Sequence, residues 1–292
     1  MTAAALALVL LAAGGARAGF GVLLEGLRKP DGLVVGSDST LYVCEEAAGR
    51  VLALRGDSSR VVAEGLDSPE GICAHPEGGL LVTEDVIGGR LLRIGPGGGT
   101  EVLASDLAAP EGVCPMPDGS VAVSWSNAQS GGIPFPLETG VLAVGPDGSV
   151  RDLVRLSMVY SLSDLVCDSS GALYMANESS GMLTWTSVLV LRPGADSPEV
   201  FCRGLFSCEG LALSPGGVLP LLVVEEDRGH GNGRVVAVDA EGEVAVLADS
   251  LSTVEDAAVL PDGSLAVSED GTGRVLRVPG IDWSPTGQEP NR

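Results

Sequence analysis

Residues 27–54 read LRKPDGLVVGSDSTLYVCEEAAGRVLAL, and residues 66–94 read LDSPEGICAHPEGGLLVTEDVIGGRLLRI. Set side by side on Pro30-Asp31-Gly32 and Pro69-Glu70-Gly71, the two stretches share one grammar. An acidic residue opens an apolar run short enough for a strand. A turn follows, then a second apolar run that ends in acidic residues. Glycines turn the chain into a third run, such as Arg274–Val278 in the last copy. Residues 60–63, 101–104 and 243–247 supply a fourth.

The grammar returns in LAAPEGVCPMPDGSVAVSWSN (107–127), SLSDLVCDSSGALYMANESSG (161–181), FSCEGLALSPGGVLPLLVVEED (206–227) and TVEDAAVLPDGSLAVSEDGTGRVLRV (253–278). Four antiparallel strands per copy and six copies predict an all-β, six-bladed β-propeller over residues 19–280. The last copy lacks a fourth run. Residues 21–27, GVLLEGL, resemble the fourth runs of other copies and are expected to complete it, which closes the ring and leaves no free sheet edge. A composition of 42 glycines with only 3% aromatic residues suits many tight turns between small apolar strands. The third copy is the longest, and residues 125–140 are read as a loop over one mouth of the channel.

The remaining features bound the function. Residues 1–18, MTAAALALVLLAAGGARA, form a short apolar stretch ending in Ala16-Arg17-Ala18, read as a signal peptide cut after Ala18. The protein is then secreted or periplasmic, and residues 281–292 are a C-terminal tail. With 39 acidic against 17 basic residues, the net charge of −22 repels nucleic acid and anionic membrane surfaces and attracts cations. The expected partner is a small molecule and the expected state a monomer. Cys44, Cys73, Cys114 and Cys167 sit within strand patterns and read as small buried apolar residues. Export would permit a disulfide between Cys202 and Cys208. His75 reads as a turn residue and His230 as a loop residue. There is no GxSxG, no phosphate-binding loop and no Cys/His cluster.

The PDG and PEG openings, the PDGS turns, the closing SEDGTGRVLRV and the stretch GGIPFPLETGVLAVGPDGSV together resemble the senescence marker protein/gluconolactonase/luciferin-regenerating enzyme family. They also resemble NHL-type propellers. The resemblance covers residues 20–280. It implies a six-bladed propeller in which the first residues of certain inner strands bind one divalent cation, commonly calcium. The family's set is Glu in blade one, Asn in blades three and four and Asp in blade five. The matching positions here are Asp31, Glu111, Asp164 and Glu209. None keeps the family's residue type, but all four are carboxylates.

Inner strands of a propeller line its channel. The opening acids Asp31, Glu70, Glu111, Asp164, Glu209 and Asp256 are therefore expected to form a ring. Six neighbouring carboxylates repel one another, and a hard divalent cation, calcium in an exported protein, relieves the conflict. The competing reading is that these acids merely bond nearby backbone. That reading is preferred for the second-strand endings Glu45-Glu46, Glu84-Asp85, Asn177-Glu178, Glu225-Glu226-Asp227 and Glu269-Asp270. It holds also for the turn residues Asp118, Asp147, Asp168 and Asp262.

Two functions from different classes follow. One is a divalent-cation-dependent hydrolase of a small lactone or ester. Its ligands are Asp31, Glu111 and Asp164, Glu70 and Asp256 complete the site, and Glu209 is the general base. The alternative is a non-catalytic NHL-type propeller that binds a protein or glycan partner. A quinone-dependent sugar dehydrogenase fits less well, because such sites need basic residues.

Overall fold

A computed structural model describes residues 19–127, 138–157, 160–178, 187–215, 217–226 and 233–279. The proposed leader, the tail, residues 128–137 of the insert and His230 lie outside them.

The described residues form six four-stranded antiparallel sheets. In blade one the strands run from Pro30–Val35 at the channel through Leu41–Glu45 and Arg50–Arg55 to Ser58–Glu64 at the rim. Blade six is completed from the other end of the chain. Gly21–Glu25 pairs antiparallel with Arg274–Val278, Gly21 opposite Arg277 and Glu25 opposite Arg274. The ring closes as the repeat predicts.

The core is divided into six apolar wedges, one between each pair of neighbouring blades. Val, Leu and Ala dominate because each wedge must taper toward the axis. Cys44 fills the wedge between blades one and two, and Cys114 that between blades three and four. Cys202 and Cys208 share the wedge between blades four and five. All six cysteines are free thiols, so no disulfide joins Cys202 to Cys208. Burial pushes the thiols of Cys44 and Cys114 well above the usual range, as expected of inert packing residues.

One irregularity repeats in every blade. The second and third residues of each inner strand face a single residue of the next strand, because the register slips there. In blade one, Asp31 and Gly32 oppose Cys44. In blade two, Glu70 and Gly71 oppose Thr83. This is a β-bulge, which twists the strand and redirects side chains. The bulges bring neighbouring inner strands very close together. A Cβ on Gly71 would fall well inside contact distance of the Glu111 carbonyl oxygen and 2.6 Å from Thr83 Oγ1. Thr83 Oγ1 donates to that same carbonyl. Gly71→Ala is therefore expected to lower unfolding stability by roughly 1–3 kcal/mol, because blades two and three must separate. Gly97→Ala, where a Cβ meets nothing within 4 Å, is the control, expected to stay within about 0.5 kcal/mol. Denaturant titration of the two variants measures the difference, and equal midpoints would show that the close approach carries no strain.

Candidate metal centre in the channel

The bulges set the channel-facing positions. By strand pairing, the second residue of each inner strand is Asp31, Glu70, Glu111, Ser163, Glu209 or Glu255. Asp164 and Asp256, expected in the same ring, stand one position further along. They occupy the place held by Gly32, Gly71, Gly112 and Gly210 in the other blades. Blades four and six lack the Pro-acid-Gly opening, so matching them by acid alone shifts both by one residue. Glu255 is the ring residue that this shift hides. In blade four the equivalent strand position is Ser163, which is buried away from the cavity and donates to the carbonyl oxygens of Cys208 and Glu209, and Asp164 borders the cavity there instead.

Asp164 and Asp256 reach across to the following blade. Asp164 Oδ2 accepts the Leu211 N–H at 2.8 Å, and Asp256 Oδ2 accepts the Leu33 N–H at 2.7 Å. The second of these bonds ties blade six to blade one at the closure of the ring. Asp256 Oδ1 also accepts the Ala257 N–H at 2.7 Å.

The second-strand endings divide into two groups. Glu45, Glu84, Glu225 and Glu269 are buried and paired with Arg50, Arg90, Arg234 and Arg274. Each also accepts the backbone N–H of the residue two before its inner strand: Arg28, Asp67, Phe206 and Ser252. These four follow the structural reading. The next residues do not. Glu46, Asp85, Glu178, Glu226 and Asp270 line the channel instead. The signal available in the sequence was the doubling itself, with an arginine at the start of the third strand to match the first acid only. The turn residues Asp118, Asp147, Asp168 and Asp262 bind hydroxyls and N–H groups of Ser120, Ser149, Ser170 and Ser264, as expected. His75 Nδ1 accepts the Glu77 N–H in its turn.

The result is a cavity of about 360 Å³ lined, among the described residues, by twelve carboxylates and one lysine, Lys29. All six of the acids expected in the ring border it. One oxygen from each of Asp31, Glu46 and Glu70 lies within 4.8 Å of the other two. At an effective dielectric of about 20, two charges at that separation repel by roughly 3.5 kcal/mol, so three ionised groups need a counter-charge.

The pKa values follow from this crowding. Burial first, then the charge of Glu46, raises Asp31 to about 7. Burial raises Asp164 to about 7 against the N–H bonds of Leu211 and Leu165. Burial and Glu46 raise Asp85 to about 6. Burial and Asp31 raise Glu255 to about 10. Glu70, Glu111, Glu209 and Asp256 are all pushed well above the carboxylate range, burial leading in each. The donors are clustered, anionic and entirely oxygen. Such a set fits a hard divalent cation.

No family model matches the chain, and no curated protein matches it. Solved structures do. A gluconolactonase from Xanthomonas campestris superposes with a TM-score of 0.73 at 15% identity, covering 88% of both chains. A structural-genomics protein named as a gluconolactonase candidate gives 0.68 at 21% identity, over 89% of this chain and 92% of that one. The PQQ-bound aldose sugar dehydrogenase of Streptomyces coelicolor gives 0.66 at 13% identity, over 88% and 95%. The fold is that of the gluconolactonase-like six-bladed propellers. Identities this low carry the architecture and not the chemistry.

The raised carboxyl groups fix the sign of a pH effect. They hold protons more tightly folded than unfolded. Their contribution to stability is complete below the unfolded value near pH 4 and is lost as pH rises through about 6 to 7. The ion-free protein is therefore expected to melt at a lower temperature at about pH 8 than at about pH 5. Added calcium should raise the melting temperature at the higher pH and leave it nearly unchanged at the lower. Scanning calorimetry at both values checks this, and a calcium response that is the same at both would separate it from ring ionisation.

Proposed function

We propose that this protein is a divalent-cation-dependent hydrolase of a small lactone or ester, with the channel cavity as its active site. The observation that carries the proposal is the concentration of twelve carboxylates around one small cavity with a single lysine against them. Fully ionised, that arrangement is unfavourable, and an entering divalent cation would offset the repulsion. The likeness to gluconolactonases supports lactones as the substrate class.

In this reading Asp31, Glu70, Glu111 and Glu255 would hold the ion from the ring, with Glu46 beside them. Asp164 and Asp256 remain at the site but serve to position it, because their oxygens accept backbone N–H groups of the neighbouring blade. Calcium is the proposed ion, in keeping with export directed by residues 1–18. When bound, a hard cation supplies Lewis-acid polarisation of a carbonyl oxygen.

Glu209 is proposed as the general base. Its Oε1 accepts the Ser207 hydroxyl at 2.9 Å, which fixes the carboxylate's direction. Burial and Glu178 shift its pKa upward against that hydrogen bond, which makes it a stronger proton acceptor. Glu209 takes a proton from water as the water oxygen adds to the carbonyl carbon. It returns that proton to the ring oxygen as the C–O bond of the lactone breaks.

The chelated and calcium-loaded protein should be assayed for proton release from glucono-lactone, smaller lactones and simple esters. Turnover is expected only in the loaded form. Glu209→Gln is expected to lower kcat by roughly 100-fold or more with an unchanged melting temperature. Turnover that survives this substitution removes Glu209 from the mechanism. No turnover of any lactone or ester, with calcium bound, would leave the channel as a binding site and favour the non-catalytic propeller.

A further inference from the structure

The residue that precedes each inner strand occupies one equivalent place at the mouth. Its carbonyl oxygen accepts the N–H of the channel-lining residue that ends the second strand. Lys29 pairs in this way with Glu46, Ser68 with Asp85, Ala109 with Ser126, Ser161 with Glu178, Ser207 with Glu226 and Thr253 with Asp270. Five of the six residues are small. At Lys29, Ser68, Ala109, Ser207 and Thr253 the backbone is left-handed, with φ between 37° and 52°. Only blade one places a long cationic side chain there.

Lys29 Nζ is ion-paired with Glu46 Oε2. Ser68 Oγ, from the equivalent place in blade two, donates to Glu46 Oε1 at 3.1 Å. Both oxygens of Glu46 are thus engaged from either side. Glu46 is also a member of the only group of three carboxylates, among the described residues, whose oxygens gather closely enough to share one ion. A divalent cation entering between Asp31, Glu46 and Glu70 meets an ammonium group already in place.

Resting on the cation-binding reading above, we infer that Lys29 is a built-in counter-cation. Its ammonium holds the Asp31–Glu46–Glu70 corner in the ion-free protein and must give way when a divalent cation binds. Lys29 therefore sets the cation affinity of the channel. It keeps the empty ring folded by supplying one positive charge, and it makes an added ion compete for Glu46. The charge of Lys29 also opposes the upward shifts of Asp31, Glu70 and Asp85, so its reach covers blades one and two. Its side chain is half exposed, which leaves room for it to swing outward.

The test uses the whole mature chain, with calcium titrated calorimetrically into chelator-treated protein and melting temperature followed in parallel. Lys29→Met and Lys29→Gln remove the charge, and Lys29→Arg keeps it. The neutral variants are expected to bind calcium roughly tenfold more tightly than the parent, about 1.4 kcal/mol. They are expected to melt lower than the parent when ion-free and to recover with calcium. Lys29→Arg should stay near the parent in both respects. Binding seen in the neutral variants alone would support the inference most directly. Calcium affinity in the neutral variants equal to or weaker than that of a calcium-binding parent would overturn the role of Lys29 and leave the cation site standing. No binding by the parent or by any variant would overturn both.

Discussion

Everything at the channel depends on the bulge that opens each inner strand. Two residues against one interrupt the ladder, and in blades three and six a hydroxyl opposite the bulge takes up one of its backbone N–H groups. Ser124 Oγ accepts the Gly112 N–H at 2.7 Å and donates to the Ser163 carbonyl of the next blade. Ser268 Oγ accepts the Asp256 N–H at 2.9 Å. The bulge also brings adjacent inner strands so close that its second residue must be glycine or an aspartate that bonds the next blade. Gly32, Gly71, Gly112 and Gly210 take the first solution, and Asp164 and Asp256 the second. With that place fixed, the first bulge residue is left bordering the channel. Repetition around the ring then concentrates charge at one depth, whatever its use.

The acids of the second-strand endings show how one dipeptide can serve two ends. The first member turns into the blade, where an arginine of the third strand and a backbone amide satisfy it. Only the carboxylate of each pair is buried, and removing its arginine would leave that charge uncompensated, so these four corners act as structural fixtures. The second member turns into the channel and is not met by an arginine of the third strand. Blades three and four depart from the scheme. Trp125 stands at the corner of blade three, with Arg155 over its ring at 5.1 Å, and Asn177 stands at that of blade four. Trp125 Nε1 and Asn177 Nδ2 are buried and have no hydrogen-bond partner among the described residues. The uniform electrostatics of the repeat are therefore interrupted on one side of the mouth.

The sequence was most legible where the repeat was most regular. Blade count, strand count and the closure by Gly21–Glu25 follow from apolar periodicity and turn chemistry, which are local. The ring was legible in blades one, two, three and five, where an acid sits between a fixed residue and a glycine. In blades four and six the acids Asp164 and Asp256 border the same cavity from the second bulge place, and Glu255 beside Asp256 is the acid the reading passed over. Only strand pairing, with Leu162 opposite Asn177 and Val254 opposite Glu269, tells the two places apart. The same limit applied to Glu45-Glu46 and its counterparts, where neighbouring acids of one type point in opposite directions.

What the sequence by itself determined was the architecture and the sign of the channel. Alternation and turns act over a few residues, and an excess of acids at repeated positions is a matter of counting. What tertiary structure alone decided was which acids meet. Asp31, Glu46 and Glu70 come from two blades, and Lys29 joins them only because blade one holds that residue in a left-handed turn at the mouth. The physical reason is that electrostatic work depends on distances of a few ångströms across the channel, and those distances are set by six bulges acting together.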